Sequence, residues 1–591
     1  MGSSLVELYR ASVDRGLYGS RETRSFIEHA LYRIEKSIRE DKQPVIVRAP
    51  PGIGKTAIPI TVLLSTLVEE LPVASVIHVA PTRSLIDDLA FRVRESLARL
   101  VTIAGGLVAR QHGLSHETSS LLAPYTVTTF DTYLYNFLKL PTDEILKIYR
   151  GMYGHYEVPR ASILLAFNFF DEVHMVIEED DKLGSAVITS MTALSAFRAP
   201  LVVSTATLST PLIGRLKAII ESLDVVDYSD FLKARGEDEF YKVEFSKSFK
   251  PIAGRPLALV DDPCDLHSDK LKEYIGKIVE VAEGGGRASI VVNTVKLAKC
   301  LYSKLRDRVE TVLIHSRFTP KDREAKMEAV RRSHGILLVT TQVLEVGVDV
   351  SFDAILSQIA PPSSMIQRFG RLARGIHTHE GYWAVFAAKE DLDRGSGVYL
   401  PRAVEGTWAV LNEIGVNGIN WHLPRPLKPG LKGYMDLLDR VWEQYLRDIL
   451  NNVSRIPSFY EALTSPIPSI DVLQLVKYTG GLRDENICSA YVYEDESRIG
   501  GEDMWENAIP LPCGDMLEYA GKAIREGYKV YIFERDPRGG LYPYELSSSK
   551  ISELKTRLGR DPFTFSLKIA GVAIPRELYE GGVYGSGLRD L

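Results

Sequence analysis

Residues 45–64 read VIVRAPPGIGKTAIPITVLL, an apolar run, a short turn with two glycines and a second apolar run. VIVRA is typical of a buried strand, and AIPITVLL is typical of a helix. Gly52 and Gly54 let the turn curl so that backbone N–H groups face a polyphosphate, and the helix N-terminus adds its dipole. Lys55 would then reach the β- and γ-phosphates of a nucleotide, and the Thr56 hydroxyl would bind Mg²⁺. A chance match is the alternative, and the strand–helix context favours a phosphate loop.

Short apolar runs alternate with helical patterns on both sides of this loop. The runs are residues 44–49, 75–80, 125–130, 162–170, 201–206, 288–293, 311–316, 335–340, 353–359 and 382–387. Such alternation predicts parallel sheets covered by helices on both faces. The predicted fold class is therefore α/β, with two consecutive parallel-sheet domains.

The pattern of apolar runs and helical segments along the chain also predicts the domain boundaries. We expect an N-terminal helical segment at 1–40, a first α/β domain at 41–225, a linker at 226–255, a second α/β domain at 256–390 and a mixed, partly helical C-terminal domain at 391–591. A chain of 591 residues is too long for a single core.

Composition excludes some classes of protein. The first residues lack a signal peptide, and no apolar run is long enough to span a membrane, so a cytoplasmic protein is expected. Four cysteines lie far apart without CxxC spacing and are predicted to be buried thiols in a reducing compartment.

The net charge of −6 argues against binding to nucleic acid through bulk charge. Only seven glutamines hint at a hot environment.

Residues 164–176, LLAFNFFDEVHMV, end an apolar run with Asp171, Glu172 and His174. Taken alone, this stretch is a surface turn, a metal site or part of a nucleotide-hydrolysing centre. Zinc is disfavoured because there is no HExxH and no second histidine at ligand spacing. Since Asp171 follows Lys55 by 116 residues, at the end of another predicted strand, it suits a Mg²⁺ ligand of a phosphate-loop enzyme. Glu172 would polarise the attacking water.

Residues 367–374 in the second α/β domain read QRFGRLAR. Arg371 and Arg374 are three apart and would share one face of a helix. They are either a solvated stripe or arginine fingers that stabilise the transition state of γ-phosphate transfer. Gln367 would contact the γ-phosphate or its water.

The motifs AxxGxGKT, DEVH and QRFGRLAR, in this order, resemble those of superfamily 2 helicases, which have tandem RecA-like domains. APTRSL (80–85), TTFDTY (128–133), STATL (204–208) and TTQVLEVGVDVSFD (340–353) resemble further helicase motifs. VVNTVKLAKCLYSKL followed by LIHSRFTPKDR is similar to the CRISPR-associated DExH helicase of type I systems. The quoted motifs lie within residues 49–374.

The resemblance implies ATP and Mg²⁺ as ligands and assigns roles to individual residues. Nucleotide binding is expected at Gly52, Ile53, Gly54, Lys55, Thr56, Gly347 and Asp349, with Thr56 and Asp171 as metal ligands. Catalysis is expected from Lys55, Asp171, Glu172, Gln367, Arg371 and Arg374, and coupling of the nucleotide and strand sites from His174, Thr205 and Thr207. Strand contacts are expected at Thr82, Arg83, Thr129, Asn293, Thr294, Ser316, Arg317 and Thr341. Each strand-contact residue is equally well explained as a helix cap or turn residue.

The resemblance also implies an ATP-driven motor on single-stranded DNA, moving 3′ to 5′, that acts with a type I CRISPR surveillance complex. Many members of that family carry an HD nuclease domain. No histidine here is followed by aspartate, and residues 1–40 are too short for such a domain, so we expect a separate HD nuclease subunit. The alternatives are another superfamily 2 motor, for DNA repair or RNA remodelling, and a non-catalytic nucleotide-gated scaffold.

Overall fold

A computed structural model describes residues 4–590 apart from several short gaps. The gaps are residues 19–21, 69, 101–103, 113–114, 143, 152–154, 180, 255, 266–267, 346–349, 375–379, 415–418, 451–455, 484–485, 501–503, 505–507 and 537–539. The chain divides into two compact units, the first made of Met1–Lys247 and Glu413–Leu473, the second of Ser248–Asn412 and Gln474–Leu591. The predicted C-terminal domain, 391–591, is thus distributed over both units.

The part of the chain up to Lys247 contains eight strands and thirteen α-helices among its described residues. The strands are β1 (Val45–Arg48), β2 (Val76–Ala80), β3 (Val108–His112), β4 (Ser115–His116), β5 (Tyr125–Thr129), β6 (Phe167–Asp171), β7 (Leu201–Thr205) and β8 (Asp224–Asp227). The helices are α1 (Leu5–Asp14), α2 (Ser25–Lys36), α3 (Ala57–Leu67), α4 (Arg83–Ala98), α5 (Ala104–Leu107), α6 (Phe130–Phe137), α7 (Ile145–Tyr149), α8 (Glu157–Leu165), α9 (Val173–Glu179), α10 (Asp181–Ala196), α11 (Thr210–Ile219), α12 (Tyr228–Arg235) and α13 (Glu239–Phe245).

The eight strands of the first unit form one sheet in the order β4-β3-β5-β2-β6-β7-β1-β8. Neighbouring strands are parallel except for β3 with β4. Parallel pairing brings the carboxyl ends of β1, β2, β5, β6 and β7 to the same edge, where ligands bind in open α/β sheets. The predicted motifs that follow these strands therefore share one edge.

Residues 248–414 contain seven strands and six α-helices in their described part. The strands are β9 (Ser248–Pro251), β10 (Leu257–Val260), β11 (Arg287–Val291), β12 (Thr311–Ile314), β13 (Ile336–Thr340), β14 (Ala354–Gln358) and β15 (Glu380–Ala388). The helices are α14 (Asp269–Glu283), α15 (Val295–Leu305), α16 (Pro320–Arg332), α17 (Pro362–Phe369), α18 (Lys389–Arg394) and α19 (Pro401–Ile414). The strands form an all-parallel sheet in the order β10-β15-β14-β11-β13-β12, with β9 also paired to β15. The predicted α/β class with two parallel sheets is confirmed.

The remaining elements follow α19. The strands are β16 (Ile419–Asn420), β17 (Lys432–Gly433), β18 (Ile487–Tyr493), β19 (Ala508–Pro512), β20 (Tyr531–Arg535), β21 (Leu541–Glu545), β22 (Ile569–Pro575), β23 (Tyr579–Glu580) and β24 (Gly587–Leu588). The helices are α20 (Tyr434–Leu450), α21 (Ile456–Thr464), α22 (Ser469–Tyr478), α23 (Cys513–Arg525), α24 (Ser548–Arg560) and α25 (Pro562–Lys568). In the second unit, a five-stranded sheet in the order β19-β18-β22-β20-β21 shares one hydrophobic core with the parallel sheet.

Two predicted segments have a different local structure. Residues 226–255 were expected to form a linker, yet Asp227 caps α12, and Tyr228 and Phe231 pack edge-on against Phe26 of α2. Residues 162–170 were expected to be one strand, but α8 continues to Leu165, which is 62% exposed, and β6 begins only at Phe167. Apolar runs do not by themselves separate a helix end from a strand.

The prediction for the cysteines was wrong, because the four form two disulfides. Cys264 bonds to Cys300 and Cys488 to Cys513, with Cα atoms 6.1 Å and 4.9 Å apart. Cys488 and Cys513 meet because β18 and β19 are antiparallel and α23 begins where β19 ends. Spacing along the chain does not reveal such a meeting.

None of the described helices combines the length and apolar composition needed to cross a membrane.

The C-terminal residues of the second unit pack on the loop that follows β12. His315 donates from Nε2 to the Ser586 carbonyl (3.2 Å), and Lys326 donates to the carbonyls of Val583 and Gly585 (2.8 Å each). Gly587 has a φ of +82°, and a Cβ there would lie 2.8 Å from the Arg317 carbonyl oxygen, so the close approach requires glycine.

His315 predicts a pH dependence of stability. Burial, then the charges of Lys299, Lys326 and Arg317, lower the pKa of His315 to about 3 from its ordinary 6.5. As the pH falls between these values the unfolded chain binds a proton and the folded chain does not, so the free energy of unfolding falls by about 1.4 kcal/mol per pH unit. Urea titrations at about pH 6 and about pH 4 measure this slope. His315→Asn should flatten it, and exposed His334→Asn serves as the control; equal slopes in all three proteins would contradict the prediction.

Candidate nucleotide-hydrolysis site

The loop between β1 and α3 has the backbone that the phosphate-loop pattern predicts. Gly52 and Gly54 adopt φ values of +84° and +98°, in the left-handed region that favours glycine. The side chain of Ile53 is buried, so this residue can serve a phosphate through its backbone N–H. Lys55 is 9% exposed, and its Nζ donates to the carbonyls of Ala49 (2.9 Å) and Pro50 (3.4 Å). The Lys55 ammonium group is thus hydrogen-bonded to the backbone of its own loop.

The acidic pair lies at the same edge as the phosphate loop because β7 separates β1 from β6. Asp171 of β6 aligns with Ser204 of β7, and Arg48 of β1 aligns with Thr205. Glu172 adopts a φ of +46°, and its carboxylate lies 3.9 Å from Lys55 Nζ. A left-handed non-glycine residue costs about 1–2 kcal/mol, and such strain is concentrated at functional sites.

Asp171 has a buried histidine neighbour that the sequence reading missed. His78 from β2 is fully buried, with Nε2 3.5 Å from Asp171 Oδ2 and Nδ1 2.7 Å from the Tyr125 hydroxyl. Burial alone raises the pKa of the Asp171 carboxyl, but contact with His78 and the charge of Lys55 outweigh burial and hold that pKa below its ordinary value. The carboxylate is therefore ionised and oriented. A polar His78 inside the apolar run SVIHVA is the signal that could have revealed it.

His174 contacts the STATL loop, as its predicted coupling role requires. Its Nδ1 is 2.9 Å from Thr205 Oγ1, and the Thr207 N–H donates to the same oxygen (3.1 Å). Burial, reinforced by the charge of Lys55, lowers the pKa of His174 to about 3. The ring is neutral, and its Nδ1 shares one hydrogen bond with the Thr205 hydroxyl. The distance of 3.4 Å between Nδ1 and Glu172 Oε2 is therefore a contact between a neutral ring and a carboxylate.

The residues predicted to bind Mg²⁺ fit that ion chemically. Thr56 occupies the N-cap position of α3 without using its side chain as a cap, and Asp171 offers an ionised carboxylate. Mg²⁺ prefers oxygen ligands and usually takes one or two carboxylates together with substrate phosphates. No cluster of three or more His, Cys, Asp or Glu ligands occurs among the described residues, which a site of this kind does not need.

The two predicted arginine fingers do not share a helical face, so that part of the prediction was wrong. Helix α17 ends at Phe369, before either arginine. Residues 371–373 instead pair with Phe352: the Phe352 N–H donates to the Arg371 carbonyl, and the Ala373 N–H donates to the Phe352 carbonyl. Ala373 has a φ of +51°. Arg371 and Arg374 are half-buried, and Arg371 donates to the Glu345 carbonyl (3.3 Å).

Arg368, which the sequence reading did not single out, is the fully buried arginine of this motif. It pairs with Glu345 at 2.8 Å and donates to the Asn293 side chain (3.1 Å) and the Tyr399 hydroxyl (3.0 Å). Further bonds reach the hydroxyl of Ser357 and the carbonyl of Gln358. Its burial depends on neighbours from four other segments, which no local pattern displays. Gln367 is also buried, and within the described residues its Nε2 has no hydrogen-bond partner.

The predicted strand-contact residues differ widely in exposure. Ser316 is exposed, four are half-buried (Thr82, Arg83, Thr294 and Arg317), and three are buried (Thr129, Asn293 and Thr341). Thr82, Thr129 and Thr294 accept hydrogen bonds at the first turns of α4, α6 and α15, as the alternative reading expects. Asn293 uses its side chain on Arg368 and on the Ile359 carbonyl. Gly347 and Asp349 lie outside the described residues.

Two family models match the chain. The model of the DEAD/DEAH box helicase matches residues 30–213, and the model of the CRISPR-associated nuclease/helicase Cas3, C-terminal, matches residues 284–377. Together with the two parallel sheets and the phosphate-loop edge, they define the core of a DEAD/DEAH-type helicase. More particularly, the chain carries a DEAD/DEAH box helicase domain followed by a Cas3-like C-terminal domain.

Several of the curated relatives are named Cas3. The CRISPR-associated nuclease/helicase Cas3 of Methanothermobacter thermautotrophicus is 24% identical over 410 residues, covering 65% of this chain and 45% of that protein. The CRISPR-associated helicase Cas3 of Thermoproteus tenax is 25% identical over 360 residues, covering 59% of this chain and 56% of that protein. The chain thus spans about half the length of these relatives.

The fold is also that of a solved Cas3. The crystal structure of T. fusca Cas3 with AMPPNP superposes with a TM-score of 0.59 at 16% identity, over 88% of this chain and 66% of that chain. At this identity the likeness concerns the fold.

The buried Arg368 predicts a large difference between two arginines of the same motif. Arg368→Gln leaves the Glu345 carboxylate buried without its ion partner and should lower the free energy of unfolding by about 3–5 kcal/mol. Arg371→Gln, at a half-buried residue, should cost less than about 1 kcal/mol. Denaturant titration of both variants measures the difference. The Arg368→Gln Glu345→Gln double variant should recover part of the loss, and equal stability of the two single variants would refute the interpretation.

Proposed function

We propose that this protein is an ATP-dependent DNA helicase that moves 3′ to 5′ along single-stranded DNA and acts in type I CRISPR interference. The observation that supports it most strongly is the meeting of Lys55 with Asp171 and Glu172 at one edge of the first sheet, in a chain with helicase and Cas3-like domains. The T. fusca Cas3 structures with AMPPNP, ADP and ATP support nucleotide binding by this fold.

In the proposed reaction the substrate ATP lies on the phosphate loop. The N–H groups of Gly52, Ile53 and Gly54 and the ammonium of Lys55 hold its phosphates, with Gly347 and Asp349 as further nucleotide contacts. Thr56 and Asp171 would hold Mg²⁺, which neutralises charge on the phosphate oxygens when bound.

Hydrolysis requires an oriented water and late positive charge. Glu172 orients and polarises the water, and its carboxylate is well placed for this because the strained backbone turns it toward Lys55. Arg371 and Arg374 stabilise the charge of the transition state, and Gln367 contacts the γ-phosphate or the water. The neutral His174, through its hydrogen bond to Thr205, couples changes at the nucleotide site to Thr205 and Thr207.

The strand would be held through its backbone at the ends of both sheets. Exposed Ser316 and the half-buried Thr82, Arg83, Thr294 and Arg317 are the better side-chain candidates, whereas Thr129, Asn293 and Thr341 would contribute backbone groups. Contacts of this kind bind phosphates without reading bases.

The proposed partners are a type I surveillance complex and a separate HD nuclease. Support for the first comes from a structure described as a CRISPR RNA-guided surveillance complex, pre-nicking, which contains a chain that matches at a TM-score of 0.50. Support for the second comes from the T. tenax relative, which is named a helicase and not a nuclease. We place the protein in the cytoplasm; intracellular proteins of hyperthermophiles do carry disulfides such as the two found here.

The central test is ATP turnover with single-stranded DNA, duplex DNA or RNA, alone and with a candidate HD nuclease. We expect stimulation by single-stranded DNA and no DNA cleavage by the protein alone. Lys55→Ala should abolish turnover because the phosphates lose their cation, whereas Arg374→Ala should bind ATP without hydrolysing it.

Each of these measurements has an outcome that contradicts the proposal. Stimulation by RNA alone would favour RNA remodelling, and cleavage of DNA by the purified chain would exclude the need for a separate nuclease. Undiminished turnover by Lys55→Ala would overturn the phosphate-loop assignment. Circular dichroism of both variants checks that the fold is intact.

A second prediction concerns the coupling residue. His174→Ala removes the bond to Thr205 without touching the phosphate loop, so ATP should still be hydrolysed while strand separation is lost. Measuring ATP consumed and base pairs opened in the same reaction provides the ratio. Normal unwinding by the variant would argue against a coupling role.

A further inference from the structure

Part of the chain that follows the second parallel sheet belongs to the first unit, and it is tightly fixed there. Trp421 is fully buried, and His422 is hydrogen-bonded to Glu244. A Cβ on Gly433 would lie 2.0 Å from the Pro424 carbonyl oxygen, so the two backbones approach as closely as only glycine permits. These contacts hold the first residue of α20, Tyr434, in place.

Tyr434 contacts the STATL loop through its hydroxyl. It is fully buried, and its OH donates to the Ala206 carbonyl at 3.3 Å. Burial, then the charge of Asp227, raise the pKa of Tyr434, and the charge of Glu172 acts in the same direction. The hydroxyl therefore stays protonated and remains a donor.

The peptide between Ala206 and Thr207 lies in the middle of a hydrogen-bond chain. Its carbonyl accepts from Tyr434, and its N–H donates to Thr205 Oγ1 (3.1 Å). That hydroxyl is in turn hydrogen-bonded to His174 Nδ1 (2.9 Å). All five residues, from Tyr434 to His174, are 0% exposed. The bonds from Tyr434 to the peptide and from the peptide to Thr205 point the same way, so the first polarises the second, and the low local dielectric strengthens all three bonds.

A second set of contacts fixes α20 to the end of the same loop. The Thr210 N–H, at the start of α11, donates to Asp439 Oδ1 of α20 (2.7 Å), and Asp439 also pairs with Arg425. Arg48, at the end of β1, donates to the Leu208 carbonyl (3.1 Å). The STATL loop is thus held from α20 on one side and from the phosphate-loop strand on the other.

We propose that Tyr434 is a positioning residue for coupling: it orients the Ala206–Thr207 peptide so that Thr205 presents its hydroxyl to His174. This inference rests on the proposed function and assigns part of its coupling machinery to a helix outside the helicase motifs. Helix α20 lies in the segment Glu413–Leu473, which follows the second parallel sheet in the chain and belongs to the first unit.

The test is Tyr434→Phe, which removes one hydroxyl and keeps the ring. Hydrogen–deuterium exchange of the peptide that contains Thr207 should become about fivefold faster, the scale of one lost neutral hydrogen bond. ATP consumed per base pair opened should rise by about the same factor, while the KM for ATP stays within about twofold. Combining Tyr434→Phe with Thr205→Val should give less than the product of the two single effects, because both act on one chain.

Tyr228→Phe is the matched control, since Tyr228 is equally buried in the same unit and donates to Asp238 (2.8 Å) rather than to the loop. It should leave the exchange rate and the coupling ratio unchanged. Unaltered exchange in Tyr434→Phe overturns the hydrogen-bond chain, and faster exchange with an unaltered coupling ratio overturns the positioning role. If the wild-type protein shows no strand-stimulated ATP turnover, the proposed function is overturned instead. The hydrogen–deuterium exchange measurement does not depend on turnover, so it still tests the hydrogen-bond chain in that case.

Discussion

Strand β7 is hydrogen-bonded to β1 on one side and to β6 on the other, in parallel register. This pairing sets the distance between the phosphate loop and the acidic pair, because Arg48 and Asp171 align with adjacent residues of β7. It also puts the STATL loop, which follows β7, between the two groups that would handle ATP. Lys55, Glu172 and His174 are brought together by this register, although up to 119 residues separate them in the chain.

The second unit depends on a buried ion pair in a comparable way. Arg368 and Glu345 are 0% and 2% exposed at the side chain, and burying two charges is favourable only if their remaining donors and acceptors are satisfied. Asn293, Ser357, Gln358 and Tyr399 complete that set. The network therefore joins the residues after β11 and β13 and the last two residues of β14 to the QRFGRLAR motif. It also explains why Asn293 is unavailable as a side-chain contact for a strand.

Predictions that the structure confirms depend on residues close together in the chain, whereas predictions that it contradicts involve residues far apart in the chain. The strand, turn and helix of the phosphate loop were predicted correctly because their signals are local: two glycines, a lysine and a helix start lie within eight residues. The coupling role of His174 stays a prediction that rests on the resemblance of the DEVH and STATL motifs to a known family, and the structure adds its contact with Thr205. The prediction that Arg371 and Arg374 share a helical face was wrong. Residues 371–373 pair instead with Phe352, which is distant in the sequence, in the manner of a strand. The disulfides were missed for the same reason, since Cys513 reaches Cys488 through the antiparallel pairing of β18 with β19.

Strand and helix periodicity, the phosphate-loop chemistry and the order of the motifs follow from the amino-acid sequence, because each depends on residues close together in the chain. The partners of the buried polar groups do not. His78 beside Asp171, Arg368 inside its network and Tyr434 on the STATL loop are placed by strand order and by the return of residues 413–473 to the first unit. A buried donor or acceptor must find a partner, and which partner it finds depends on how distant segments pack.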